Sequence, residues 1–327
     1  MFGEWKRDGL VSWHELARPQ IHGYDLNAVS SLNDWKFVSG ADEKVVRVFQ
    51  TSKATADLVN RLAGNLTDTE VHHLQHALMK NLPSTANLPV LGLSNKESST
   101  TDEVVNTTLL HTLNTPPLED HLSRYTLSPE LEKLYAHPSE IIALSTSHSS
   151  KYIASTCKAT TPENTIIRNF NTTNYAEIVL LKAHNLTVVK LAWSPNDKFL
   201  ISVGRDRQWT LFETDNWTIV KSCPKAHARI IWDVSFAPLD FGSVFITGSR
   251  DKCIKVWSGE GWGCVATVKF VEAVTACEFL GEVVADKVFV AVGLENGAIY
   301  ILGCDRGTES WKVIKKLDER YDRLRCD

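Results

Sequence analysis

His227, Thr247 and Asp251 supply an imidazole, a hydroxyl and a carboxylate, the three groups from which a nucleophilic triad is built. A second set, His184, Ser202 and Asp206, precedes it, and its histidine lies 43 residues before the first. A catalytic centre has no reason to recur at a fixed spacing, so the repetition favours a structural role. His72, His73 and His76 resemble a metal cluster, because positions i and i+4 share a helix face. No third ligand follows at helical spacing, and the three read as solvated helix histidines. The glycines of Gly259–Gly263 lack the Lys-Ser/Thr that a phosphate loop requires and read as a turn between strands. No catalytic residue, cofactor or metal ligand is assigned.

The elements that hold these residues repeat with them. ThrGlySerArgAspLysCysIleLysValTrp (Thr247–Trp257) is echoed by SerValGlyArgAspArgGlnTrpThrLeuPhe (Ser202–Phe212). Ala226-His227 and Ala183-His184 precede the copies, and Ser194-Pro195 and Ala237-Pro238 fall between. Proline cannot donate to a ladder, so each stops a strand. Ile230–Phe236, Ser243–Thr247 and Cys253–Trp257 are short, β-branched or aromatic runs, and Arg250-Asp251-Lys252 suits a tight hairpin between two of them. The spacing of the histidines falls inside the ~40–45-residue period of WD40 blades, each a four-stranded antiparallel sheet. Resemblance to that family implies a buried hydrogen-bonded tetrad of His227, Thr247, Asp251 and Trp257. His184, Ser202 and Asp206 form a second set with Phe212 at the tryptophan place.

Worn copies are read at His22, Ser39, Glu43 and Phe49, and at His137 and Ser155 followed by Ile166–Phe170. A last copy is read at Val290–Leu302, with Glu295 at the Asp place and Ile301 at the Trp place. The expectation is an all-β fold: a partial WD40 β-propeller of about five recognisable four-stranded blades with a long insertion. Residues 1–50 carry the first blade elements, 51–136 the insertion, 137–302 further blades and 303–327 a tail. Within the insertion, Asp57–Leu62 and Thr69–Leu82 have helical spacing. Leu88–Leu93 reads as a strand able to complete the first blade, and 95–103 is rich in Ser and Thr.

Composition bounds the rest. The formal net charge of −4 argues against wholesale coating of nucleic acid. Seven cysteines without a CxxC pair read as free thiols of a reducing compartment. Residues 1–13 lack the apolar run of a secretory signal, and no run approaches a membrane span. The turns are locally basic: Arg205 and Arg207 flank Asp206, Arg250 and Lys252 flank Asp251, and Lys44 follows Glu43. Equivalent turns of neighbouring blades share one face, which makes these five residues a candidate interaction face.

Several segments are more specific than a generic blade. ArgProGlnIleHisGlyTyrAspLeu (Arg18–Leu26), Phe37–Phe49, Leu91–Lys96, Pro116–Leu122, Gly248–Lys252 and Val290–Glu295 resemble the family of the second subunit of the Elongator complex. The resemblance runs from about Trp5 to Leu302. It implies a double seven-bladed propeller of which this chain covers most of the second. It also implies a non-catalytic scaffold, cytoplasmic and nuclear, that holds the largest subunit and the catalytic subunit together. That complex modifies wobble uridines of transfer RNA, and transcription-linked histone acetylation has also been attached to it. Transfer RNA is a further candidate partner, through the basic face. The alternative is a WD40 adaptor of another machine, such as a ubiquitin-ligase receptor.

Overall fold

The computed structural model describes residues 2–7, 10–19, 23–63, 82–83, 86–87, 96–97, 109–259, 261–281, 283–306, 308 and 310–317. The chain divides into two compact units, Met1–Ser39 with Val45–Tyr135 and Gly40–Lys44 with Ala136–Asp327.

The first unit opens with an antiparallel hairpin of β1 (Phe2–Arg7) and β2 (Leu10–Glu15). A sheet follows from β3 (Leu26–Asn33), β4 (Lys36–Ala41) and β5 (Val45–Gln50). Helix α1 (Lys53–Ala63) starts where Ser52 Oγ accepts from the Thr55 amide at 3.3 Å, a side-chain cap of an otherwise orphaned donor. Its residues Ala54, Leu58 and Leu62 recur every fourth position and bury one stripe against Leu16, Leu110 and Trp5. Short strands β6 (Ala86–Asn87) and β7 (Lys96–Glu97) pair with each other, and helix α2 (Glu119–Tyr125) follows. Most of the expected second helix and all of Leu88–Leu93 lie outside the described residues.

The fourth strand of the first sheet is β8 (Glu130–Tyr135), paired with β5 from Val45↔Tyr135 to Phe49↔Glu130. The sheet order is β3-β4-β5-β8. The stretch between its third and fourth strands therefore runs from Thr51 to Pro129, and the expected boundary at 136 moves back. The charged sequence of β8 explains why it reads poorly as a strand. It is a sheet edge, where charge blunts unwanted pairing. Arg47 of β5 meets Glu130 at 2.6 Å across that edge pair.

The second unit is four consecutive four-stranded antiparallel sheets. Their strands are β9 (Ile141–Thr146), β10 (Tyr152–Cys157), β11 (Ile166–Asn171) and β12 (Glu177–Lys182); then β13 (Val188–Trp193), β14 (Phe199–Gly204), β15 (Trp209–Glu213) and β16 (Ile219–Cys223). The last two sheets are β17 (Ile231–Phe236), β18 (Val244–Ser249), β19 (Cys253–Ser258) and β20 (Gly263–Lys269), and β21 (Val274–Phe279), β22 (Lys287–Leu294), β23 (Ile299–Asp305) and β24 (Lys312–Leu317). Each sheet packs on the next, and alternation fills the seams. Leu200 and Phe212 face back towards Ile167, while Ile201 and Leu211 face forward to Val234 and Phe245. Ile246 and Val256 pass the pattern on to Val274 and Val290. Inner strands such as β18 are buried along their whole length for this reason.

Among the described residues there are thus five four-stranded antiparallel sheets, four of them consecutive in the second unit, in an all-β, propeller-like fold. Residues expected as a tail from 303 onward instead extend β23 to Asp305 and form β24. Every residue of β24 is exposed, and three of its six residues are lysines, so it lacks the apolar run of a buried strand.

Candidate functional site: turn tetrads and basic turns

Among the described residues the fourth-sheet set is the most complete. His227 Nδ1 lies 3.0 Å from Asp251 Oδ2, and His227 Nε2 lies 2.7 Å from Thr247 Oγ1. Trp257 Nε1 donates to the same Thr247 oxygen at 2.9 Å. One direction satisfies every member: indole to hydroxyl, hydroxyl to imidazole Nε2, imidazole Nδ1–H to carboxylate. Asp251 also accepts from the amides of Ala228 at 2.9 Å and Cys253 at 3.1 Å. It thereby ties the connection before β17 to the turn between β18 and β19.

The third-sheet set repeats this. His184 Nε2 lies 2.8 Å from Ser202 Oγ, and His184 Nδ1 lies 3.1 Å from Asp206. Phe212 has no indole donor, so the Ser202 hydroxyl, which gives its one hydrogen to His184 Nε2, receives no bond from the tryptophan place; the Thr210 carbonyl, 3.3 Å from Ser202 Oγ, is the alternative acceptor for that hydrogen. Gly204 is needed here, because a Cβ would stand 3.0 Å from the Thr187 carbonyl and 3.1 Å from His184 Nδ1.

Both sets have the hydrogen bonding of a hydrolytic triad, but no substrate reaches them. Ser202 and Thr247 are 0% exposed, and both histidine side chains are equally closed. The carboxylates are tuned for holding a turn. Burial alone would raise the Asp251 pKa, but the His227 ring and two backbone amides outweigh it and bring it to about 2. Asp206 is lowered too, with burial again opposed by His184, Asn185 and Gln208.

The second sheet keeps two members. His137 Nε2 lies 2.8 Å from Ser155 Oγ, but its Nδ1 has no partner. Burial, with help from the Arg168 charge, pushes this imidazole down to about 3. His22 lies outside the described residues. In the last sheet the register moves the expected places by one. Val290 pairs with Leu302 as Phe245 pairs with Trp257, so Leu302, not Ile301, stands at the tryptophan place. Counting back six residues, as from Trp257 to Asp251, gives Asn296 rather than Glu295. Asn296 Oδ1 accepts from the Ala298 amide at 3.1 Å, the bond Asp251 makes with Cys253. A bulge in the third strand precedes each aromatic place, at Val48/Phe49, Asn169/Phe170, Leu211/Phe212 and Val256/Trp257. The last sheet has it at Ile301/Leu302. Residue-type matching cannot see a bulge, which is the missing signal.

The basic residues sit on these same turns. Arg205, Arg207, Arg250 and Lys252 are exposed between the second and third strands of adjoining sheets, and Lys44 is exposed in the β4–β5 turn. All five belong to the second unit. Arg205, Arg207 and Arg250 have no ion pair among the described residues. Lys252 Nζ is engaged with the Val271 carbonyl at 2.7 Å and with Glu272 at 3.5 Å. Arg207 and Lys252 hold left-handed φ of 68° and 71°, at the place that Gly297 fills in the last sheet with φ 83°. Cations thus stand where the backbone favours glycine. The carboxylates beside them, Asp206 and Asp251, are turned inward to histidine.

His72, His73 and His76 lie outside the described residues. Among the described residues no group of three His, Cys, Asp or Glu is placed to hold a metal. Among them, too, no helix is long and apolar enough to cross a membrane.

The stacked four-stranded sheets and their histidine–hydroxyl–carboxylate sets define the class: the chain is a WD40-repeat protein. The sequence pattern of the WD domain, G-beta repeat, matches residues 176–213 and 217–258. Along nearly its whole length the chain is similar to Elongator complex protein 2. Identity is 39% with the Saccharomyces cerevisiae protein, over 98% of this chain and 43% of that one. It is 40% with the Schizosaccharomyces pombe protein, over 94% and 41% respectively. With the Homo sapiens protein it is 35%, over 100% and 43%. The chain therefore spans less than half the length of these relatives.

Proposed function

We propose that the chain acts as a non-catalytic scaffold subunit of Elongator. It holds the largest and the catalytic subunits together, in cytoplasm and nucleus, in support of wobble-uridine modification of transfer RNA. The observation that carries this reading is the similarity to Elongator complex protein 2 over 94–100% of the chain in three distant organisms. The site chemistry agrees with it. The hydroxyl–imidazole–carboxylate sets are sealed and serve the turns, and what the turns present outward is positive charge. Arg205, Arg207, Arg250 and Lys252, with Lys44 in the equivalent turn of the first sheet, form the contact face for an acidic partner surface or for transfer-RNA phosphate.

The test is a pull-down of the catalytic and largest subunits by the wild-type chain and by an Arg207→Gly/Lys252→Gly variant. Glycine relieves the left-handed backbone at both positions while removing both charges, so the fold is retained. Capture of both subunits by wild type, weakened several-fold in the variant, supports the scaffold and its face. Capture of neither subunit by a folded wild-type chain overturns the scaffold reading. Equal capture by both forms removes the face and keeps the scaffold.

A further inference from the structure

The connections between the second and third strands of the sheets are not alike. They span 205–208 in the third sheet and 250–252 in the fourth, but 158–165 in the second. The longer connection is anchored at both ends to residues that hold the Arg205 turn. At one end Thr187 Oγ1 donates to the Ala159 carbonyl at 2.8 Å and accepts from the Ala159 amide at 3.1 Å. The Thr187 carbonyl in turn accepts from the Arg205 amide at 3.0 Å. At the other end Thr165 Oγ1 lies 2.5 Å from the carbonyl of His184, whose ring meets Asp206. Residues 160–164, between the anchors, are all exposed, and Lys158 at the foot of the loop is an exposed cation.

Four prolines of the chain follow a serine or threonine: Thr115-Pro116, Ser128-Pro129, Thr161-Pro162 and Ser194-Pro195. Ser128 is 2% exposed and Ser194 is 4% exposed, so neither hydroxyl can enter another enzyme's active site. Thr115 is exposed but belongs to the first unit. Of the four, Thr161 stands on the loop tied to a basic turn. Its side chain makes no cap bond, and its backbone is extended, with φ −123° and ψ 149°, as a following proline favours. Phosphoryl transfer depends chiefly on positioning, and an extended, exposed acceptor needs little rearrangement to be positioned. We propose that Thr161 is a phosphorylation site for a proline-directed protein kinase, and that its phosphate withdraws the basic turns from an anionic partner. Thr161 Oγ1 attacks the γ-phosphorus of ATP, and the bond from that phosphorus to the bridging oxygen breaks. ADP leaves, and the hydroxyl proton passes to the kinase's carboxylate base. The product carries about −1.5 to −2 charge at pH 7. Arg205, exposed and without an ion pair among the described residues, is available to pair with it. The effect on a partner rests on the contact-face reading above; the modification itself does not.

The experiment treats the whole chain with ATP and a purified proline-directed kinase and locates phosphate by mass spectrometry. Phosphate on Thr161 in wild type is expected, and an unmodified Thr161 in the folded chain overturns the proposal. Thr161→Ala keeps any phosphate placed on Thr115 and so controls for charge added elsewhere. Phosphorus NMR then follows the titration of the phosphothreonine. Its second pKa, ordinarily about 6, should lie lower by about half a unit or more in wild type than in Arg205→Gln, because a neighbouring cation favours the dianion. Equal values overturn the proposal, since the phosphate would then not sense the basic turn. Transfer-RNA binding at low salt should weaken at least about fivefold when wild type is phosphorylated, and not at all when Thr161→Ala is treated in the same way. Unchanged binding by phosphorylated wild type overturns the effect on the partner. If the untreated chain binds no transfer RNA, the contact-face reading fails for RNA, while the site and its pairing with Arg205 stand or fall on the first two measurements.

Discussion

Asp251 and His137 show how much one partner matters at these turns. Asp251 accepts from His227 and from two backbone amides, so Asp251→Ala strands three donors in a closed setting. The expected cost is about 1–3 kcal/mol. Arg250→Ala, one residue away on an exposed side chain with no ion pair among the described residues, should cost within about 0.5 kcal/mol. Denaturation midpoints of the two variants check this, and equal midpoints would contradict a structural role for the carboxylate. The folded pKa of Asp251 lies near 2, below its unfolded value, so its stabilising effect is full above about pH 4 and is lost as pH falls towards 2. His137 lacks the carboxylate and behaves differently. Its folded value near 3 lies below the ~6.5 of an unfolded histidine, so the folded state resists protonation. Its contribution is whole above about pH 6.5 and falls, by at most ~1.4 kcal/mol per pH unit, as pH drops towards 3. Wild type should therefore lose about 2 kcal/mol more than His137→Gln between pH 7 and pH 5, measured by urea midpoints at the two values. Parallel pH profiles would show that His137 titrates freely.

At the scale of elements, the seams between the last sheets are closed by one tryptophan per sheet, a device that recurs with the sheets but carries no alternation of its own. Trp217, Trp262 and Trp311 each lie between the third and fourth strands of their sheet. Each reaches an aromatic ring of the preceding sheet and one of its own. Trp217 meets Tyr152 at 5.4 Å and Trp193 at 6.1 Å; Trp262 meets Phe199 at 5.7 Å and Phe245 at 5.4 Å. Trp311 meets Phe241 at 6.4 Å and Phe279 at 6.1 Å. These contacts, edge-to-face except for the tilted Trp262–Phe245 pair at 36°, add to the area each ring buries. Trp262 is 6% exposed, so Trp262→Ala should cost about 3–5 kcal/mol, whereas Trp13→Ala, at 68% exposed, should cost little. Comparable losses would show that the contact does not hold the seam. These tryptophans escape sequence reading because a single residue in a turn carries no alternation to detect. The strands of the second unit were legible because β-branched runs stop at Pro195 and Pro238, and the His, Ser/Thr and Asp places recur with them. Glu130–Tyr135 and Lys312–Leu317 were not, since an edge strand rich in charge looks like a loop. The slip from Asn296 to Glu295 has the same kind of cause: bulges and turn lengths set the register, and neither is written in residue type.

At the scale of the whole molecule, charge is distributed against its own sum. The chain carries 35 basic and 39 acidic residues, so its mean field repels a polyanion. The turns of the third and fourth sheets oppose that field locally, because their acids are bound inward while Arg205, Arg207 and Arg250 stay exposed. A face of this kind acts only within a Debye length, about 8 Å at physiological salt. Long-range attraction is then weak, so the transfer-RNA contact proposed above would rest on a few close phosphate contacts. That has a measurable signature. Each phosphate neutralised steepens the fall of log K with log salt by about 0.7 to 0.9. With transfer RNA as the probe, the wild-type chain should show a slope steeper than Arg205→Glu/Arg250→Glu by roughly 1.4 to 1.8. The variant should also bind more weakly at every salt concentration, and its circular dichroism should be unchanged. A titration at four salt concentrations measures both quantities. If wild type and variant give the same slope, these arginines touch no phosphate, and the basic turns serve a protein surface instead. If the variant unfolds, Arg207→Gly/Lys252→Gly provides the same comparison on a relaxed backbone, and its slope should fall by a similar amount.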